Sequence, residues 1–467
     1  MINFLNKNAL RALLVWIAVL SILYSTLSIL RHDHFQSGGF DLGLYDQATW
    51  QYSQFLTPYN TIKERFILGD HLNLTLPLLA PLFWLWNDVR ILLIFQAFWI
   101  SLSVLTIFKL CRLRGFTPFT SLNLSFIYSL FPGVQFAVFF DFHPIIIGVG
   151  LLVWLIYFLE NHQQKLFITT LILVLLTQEN MGLALTCLGF IYLFKKEYRK
   201  VSVGFIIGGL AASLLAVKII TFFSPVGFQY WPKIPPDLFA IAKSFFDSEE
   251  KRLNWLYFLS WFSFLPLFSA GAILAMILDL SQYLVLAPQF SHMWGPLLHH
   301  RAILAPFLLL GTLDALAWIK KRKVNPQTIS IFLVLISLGL QYFFHFPLNK
   351  LSKPIYWKNE SWMADDQKLI GLIPAAAGVA TQQNLVPHLS HRQEIYLVWP
   401  RKRDNNWWLD FGGKPEYLVV DLRPDQWLTQ ILESNENFQE AVKNMERAGK
   451  ITLEKEINAA KLYRIVN

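Results

Sequence analysis

Charge is scarce in this sequence: only 15% of its 467 residues are Asp, Glu, Lys or Arg, against roughly 25% in an ordinary soluble domain. Cysteine is scarcer still. Cys111 and Cys187 fall at or inside apolar runs, too far apart in kind and place for a disulfide framework. The first apolar run is followed by no small-residue cleavage site and is long for a signal core, so it reads as a retained anchor. What fills the space left by charge is apolar: 54% of the chain is hydrophobic, more than a water-soluble core can bury.

The surplus lies in runs. Ala12 to Leu30, Ile91 to Phe108, Val201 to Phe223 and Ile329 to Phe346 each approach the roughly 20 residues that cross a hydrocarbon layer as a helix. Trp84, Trp86, Tyr230, Trp231 and Trp318 stand near run ends, where amphipathic rings prefer the headgroup layer. The net charge of +9 does not point to nucleic acid, because the basic residues sit in short connections. These are Lys7 and Arg11, then Lys109, Arg112 and Arg114, then Lys195, Lys196, Arg199 and Lys200, then Lys320 to Lys323. By the positive-inside rule these connections, and the amino terminus, are cytoplasmic.

Threading the chain on that rule predicts an all-α polytopic membrane protein with about eleven crossings. Arg31 to Asp70 is a long outer loop. Leu72 to Trp86, broken by Pro77 and Pro81, is a juxtamembrane helix, and Val89 to Leu110 returns inside. Phe116 to Phe139 and Pro144 to Leu159 form the next pair. Leu166 to Phe194 is long for one crossing and basic at both flanks, so it reads as two short helices turning at Thr177-Gln178-Glu179-Asn180. Val201 to Phe223 leads to a loop from Ser224 to Asn254, whose Pro225, Pro232, Pro235 and Pro236 oppose regular structure. Trp255 to Phe268, Gly271 to Ala287, Ala302 to Trp318 and Ile329 to Phe346 complete the spans. No internal repeat is evident, unlike a repeat-built transporter.

After Lys350 charges become frequent and apolar runs shorten. Gly378 to Thr381, Glu394 to Val398 and Tyr417 to Val420 read as buried strands, and Asn437 to Ala448 as an amphipathic helix. The division is therefore 1–349 for the membrane domain and 350–467 for a small extracytoplasmic α/β domain.

Ionisable groups at membrane depth default to functional candidates. Asp41 and Asp46 in the first outer loop, Asp70 with His71, Asp141 with His143, and Glu179 all fall on the outer side of this topology, and His299, His300 and Arg301 open an inward span there. Asp41 and Asp46 are five residues apart with Gly43 between, so one can face a cavity while the other caps a helix beginning near Tyr45. An arginine at the lipid boundary can grip a phosphate or serve as an interfacial anchor. Asp41, His71, Asp141 and His143 offer oxygen and imidazole donors to a divalent metal ion, though without tight ligand spacing.

The string Phe40-Asp41-Leu42-Gly43-Leu44-Tyr45-Asp46-Gln47, the Asp70-His71 pair, Asp141-Phe142-His143-Pro144 and Thr177-Gln178-Glu179-Asn180 together resemble an uncharacterised family of polytopic membrane proteins from bacteria and archaea. Its layout is similar to the GT-C glycosyltransferases, among them protein mannosyltransferases and the lipid A aminoarabinose transferase. The family often carries Lys-Glu-Asp where this chain has Gln178-Glu179-Asn180. The resemblance implies a membrane glycosyltransferase of the cell envelope, drawing sugar from a polyprenyl-phosphate donor at the outer face of the plasma membrane. Asp41, Asp46 and Glu179 would be catalytic, and His71, Asp141, His143, His299, His300 and Arg301 would bind substrate. The competing expectation is a transporter or lipid flippase, which would favour polar groups in mid-span and broken helices in paired halves.

Overall fold

The computed structural model describes residues 2–231, 235–286, 288–424 and 434–466; Pro232 and Ala287 lie outside them. The chain folds as two compact units, one of Met1–Leu27, Leu68–Thr75 and Ile94–Lys353, the other of Ser28–Ile67, Leu76–Leu93 and Pro354–Asn467.

The first unit is helical because its runs leave no other way to pair their backbone groups. Among the described residues five helices are long and apolar enough to span a membrane: Asn6–Asp33, Arg90–Leu113, Lys196–Phe223, His299–Lys321 and Pro326–Phe343. Pro118–Ser129 and Pro132–Phe140 form a further apolar pair bent by 44°; Pro132 has no N–H to continue the ladder, and it restarts the helix at its first position. Shorter apolar helices cover Pro144–Glu160, Gln164–Leu175, Met181–Leu193 and Ala270–Leu284. Side chains set several starts. Thr117 accepts from the Thr120 N–H, Ser248 from that of Lys251 and Asn325 from that of Gln327.

The Leu166 to Phe194 stretch is two helices, with Glu179 in the turn between them. The second of them, Met181–Leu193, packs against Arg199–Phe223 through glycine: a Cβ on Gly182 would lie 2.5 Å from the Gly209 carbonyl oxygen. Only backbone without side chains permits that approach, the usual device of helix pairs in lipid. Two expectations fail locally. The Pro-rich loop becomes helical at Leu238–Ser244 and again at Glu249–Trp261, because Asp237 and Ser248 each cap a new start. The Trp255 to Phe268 run does not continue as one helix, since Ser263 and Phe264 take positive φ values of 49° and 60° before a 3-10 turn at Leu265–Phe268.

In the second unit the expected strands and helix are present. Five strands lie in the order Ile395–Leu397, Val379–Thr381, Tyr417–Asp421, Ala460–Ile465 and Ile451–Ile457. The first three are mutually parallel and the last two antiparallel. Alternation of side chains divides two cores. Val379, Ile395, Leu397, Val419 and Leu462 face Leu369, Val386 and the first-loop residues Phe35 and Ile62. Ala380, Leu418, Val420 and Tyr463 face Phe438, Ala441, Val442 and Met445 of the amphipathic helix Asn435–Arg447. The segment after the first helix thus helps form this unit's core, which hydropathy could not show.

Candidate functional site

Each candidate is placed by the local event that the sequence dictates there. In the first unit Leu175 ends one helix and Asn180 precedes the next, so Glu179 projects from a turn. Its carboxylate accepts from His71 Nδ1 at 2.7 Å and from the Leu72 N–H at 3.2 Å. His71 is thereby held at two edges, with Asp70 Oδ2 3.8 Å from its Nε2, while Tyr230 stacks on its face at 5.2 Å between centroids. Asp70 is buried. This is an imidazole with a fixed orientation between two carboxylates, an arrangement suited to holding or moving a proton.

A second group surrounds the bend after Phe140. Asp141 ends the Pro132–Phe140 helix in extended conformation, and His143 precedes Pro144 of the next. Gln96 spans the pair, donating to the Asp141 carbonyl and accepting from the His143 N–H. The His143 ring stacks on His299 at 3.5 Å, and His299 lies 3.9 Å from His300. His71 interacts electrostatically with His299 and His300, so the two groups are neighbours. His71, Asp141, His143, Glu179, His299, His300 and Arg301 therefore gather within one unit.

Arg301 is the most unusual member. It is 0% exposed. Its Nε donates to Asn254 Oδ1 at 2.8 Å, its Nη2 to the Met293 carbonyl at 2.8 Å, and Tyr283 lies under the guanidinium at 4.6 Å. Its Nη1 has no partner, nor do Asp279 Oδ2, His299 Nδ1 and His300 Nδ1. Among the described residues no carboxylate lies within ion-pair distance of Arg301. A buried guanidinium without a direct ion pair, on which Asp279 acts only at longer range, beside orphaned polar atoms, has the chemistry of an anion site. Tyr283 also interacts electrostatically with Glu179, linking this end to the Glu179 turn.

Asp279, Tyr283, Asn254 and Lys251 were not expected. Asp279 had a signal, being an acid within the apolar run of Ala270–Leu284. Lys251 is 2% exposed, paired to Asp247 at 2.8 Å and 3.9 Å above the Trp294 ring; it looked like loop sequence and carried none.

Asp41 and Asp46 belong to the second unit. Asp41 lies half-buried in a π-helical turn, Gly39–Gly43, a form found often at functional sites. The helix Leu44–Ser53 begins where expected, but Gly43 is its N-cap and no side chain bonds there, so neither acid caps it. A Cβ on Gly43 would come 2.7 Å from Val386 Cγ1, which explains the glycine. Asp46 is fully buried, and its carboxylate accepts from Ser390 Oγ and His391 Nε2. That ties the first loop to the strand-bearing segment.

Burial opposes a charge on His391, but the Asp46 carboxylate, with Asp88 behind it, outweighs burial and raises the imidazole above its ordinary value. A raised folded-state value means that the charged pair stabilises fully below the unfolded histidine's ~6.5 and ceases to as pH climbs through the folded value. Thermal stability in detergent is expected to decline as pH rises above about 6.5, and His391→Asn to flatten that slope. An identical slope in the variant would remove His391 from this role.

Among the described residues no group of three or more His, Cys, Asp or Glu is arranged to hold a metal ion. Asp41 falls in one unit and His71, Asp141 and His143 in the other, and the His143 ring is stacked on His299.

The fold resembles the crystal structure of ArnT from Cupriavidus metallidurans in the apo state, with a TM-score of 0.52, 10% identity and 98% of each chain covered. The likeness shows that the chain shares its fold with ArnT. No curated protein sequence matches the chain. Residues 31–448 match the predicted membrane proteins of DUF2079, and the chain belongs to that family.

Proposed function

We propose that this protein is a GT-C-type glycosyltransferase that moves a sugar from a polyprenyl-phosphate donor to an acceptor hydroxyl at the extracytoplasmic face of the plasma membrane. The observation that carries this reading is the buried Arg301, without a direct ion pair, beside His299, His300 and the Glu179–His71 pair, on a fold similar to that of ArnT. In such a transfer the acceptor oxygen bonds to the anomeric carbon while the bond from that carbon to the phosphate oxygen breaks. Arg301 would neutralise the phosphate in the donor and as it leaves. Asp41 would take the acceptor proton, and the fixed His71 would serve the leaving group or sugar hydroxyls. The transporter reading is less well supported, because His71, Asp141, His143, Glu179, His299, His300 and Arg301 gather at turns and helix starts, with Asp279 alone of the carboxylates named above inside an apolar helix.

The topology that goes with this function has about eleven crossings, a cytoplasmic amino terminus and an outer second unit. A reporter active only in the cytoplasm, fused after Asn467, is expected to be silent. Strong signal would remove one crossing, at the Gln164–Leu175 and Met181–Leu193 pair, and move Glu179 from the outer side. The function itself is tested by incubating the purified protein in nanodiscs with polyprenyl-phosphate sugars and following release of free polyprenyl phosphate. Absence of release with every lipid donor, alongside movement of lipid between leaflets, would favour the flippase.

A further inference from the structure

A cavity of about 360 Å³ opens within the second unit, between the end of the first helix, Arg90 and residues 357–367. That volume lies in the range of small-ligand pockets, roughly 300–1,000 Å³. Its polar lining comes from Asp33, Arg90, Asn359, Glu360 and Gln367, and its apolar lining includes Phe35 and Trp357.

The polar groups are fixed before any ligand arrives. Arg90 Nε donates to Asp33 Oδ1 at 2.9 Å and its Nη1 to Asp88 Oδ2 at 2.7 Å. Asn359 Oδ1 pairs with His34 Nε2 at 3.2 Å, and Glu360 Oε2 accepts from Trp362 Nε1 at 2.7 Å. Phe35 is buried and stacked on His388 at 4.1 Å, which makes that wall rigid. Trp357 remains 52% exposed, a broad indole face within reach of solvent.

Charge then selects the ligand. The lining holds two carboxylates against one guanidinium, and that guanidinium is already engaged by Asp33 and Asp88. A phosphate ester would meet net negative charge. An uncharged ring bearing several hydroxyls would meet carboxylate acceptors for its O–H groups, amides that donate and accept, and an aromatic surface for its C–H face. The geometry points to a second binding site on this protein, one for an uncharged sugar ring, separate from the anion-binding group around Arg301. It does not depend on the transfer reading, because binding here needs no lipid donor.

The test is equilibrium binding by saturation-transfer NMR with the full chain in nanodiscs. Glucose, mannose, galactose, short neutral oligosaccharides of each and glucose 1-phosphate are the probes, and wild type is compared with Trp357→Ala and Glu360→Gln. At least one neutral sugar is expected to bind, glucose 1-phosphate roughly tenfold or more weakly, and both variants to lose about tenfold or more in affinity. The thermal transition should stay in place, since Trp357 and Glu360 are exposed. Tighter binding of oligosaccharides would identify a glycan chain as the source, and equal binding a single ring. The proposal is overturned if no neutral sugar binds wild type, if the sugar phosphate binds best, or if both variants bind as wild type does.

Discussion

Asp41→Asn is expected to lower sugar transfer by roughly a hundredfold or more while leaving the protein folded and inserted. An amide keeps the size of the carboxylate and most of its hydrogen-bonding capacity, but it cannot accept the proton of an attacking hydroxyl. The usual structural explanation for such an aspartate is helix capping. Here the cap position is Gly43, without a side-chain bond, so the substitution removes no N-cap. Even a good cap exchanged for another would cost only about 1 kcal/mol or less. Turnover of a polyprenyl-phosphate sugar by the purified variant, with wild type alongside and thermal stability monitored, decides between the two. Near-normal turnover would end the role of Asp41 as base.

Arg301→Gln is expected to raise the donor KM by roughly tenfold to a hundredfold, with stability unchanged or improved. The direction on stability is the diagnostic part. Removing one partner of a buried ion pair strands a charge and destabilises, but Arg301 is fully buried without a direct ion pair, and Asp279, which it meets only electrostatically at longer range, can take up a proton when the guanidinium is lost. Glutamine can still meet one of the two acceptors, Asn254 Oδ1 or the Met293 carbonyl. A guanidinium kept for substrate trades stability for function, whereas one kept for packing does not. Arg301→Lys retains charge but loses the planar fork, so intermediate binding is expected. An unaltered donor KM in Arg301→Gln, or a large fall in its melting temperature, would make Arg301 a packing residue.

Hydropathy is local and survives folding, which is why the membrane class and most apolar helices could be read directly. So could the turn at Glu179, where two basic flanks made a single crossing implausible, and the strands near Val379, Ile395 and Tyr417, where short buried runs stood in charged surroundings. The helix after Leu44 was legible too, but not its cap, because a π-helical turn packed against Val386 has no signature in composition. The hairpin of Trp399–Arg403 with Asn406–Asp410 turns on Asp404 and Asn405 at positive φ. That two-residue signal was present and unread.

The sequence alone determined that the chain resides in a membrane, where its acids and histidines fall among the helices, and that a small strand-bearing segment follows. Tertiary structure decided which of those groups meet. His71 and Glu179 are 108 residues apart and Asp46 and Ser390 are 344 apart; no periodicity encodes such pairings. Asp46 became a buried tie between segments while Arg301 was left without a direct ion pair, a difference set by which partners folding brought within hydrogen-bond reach.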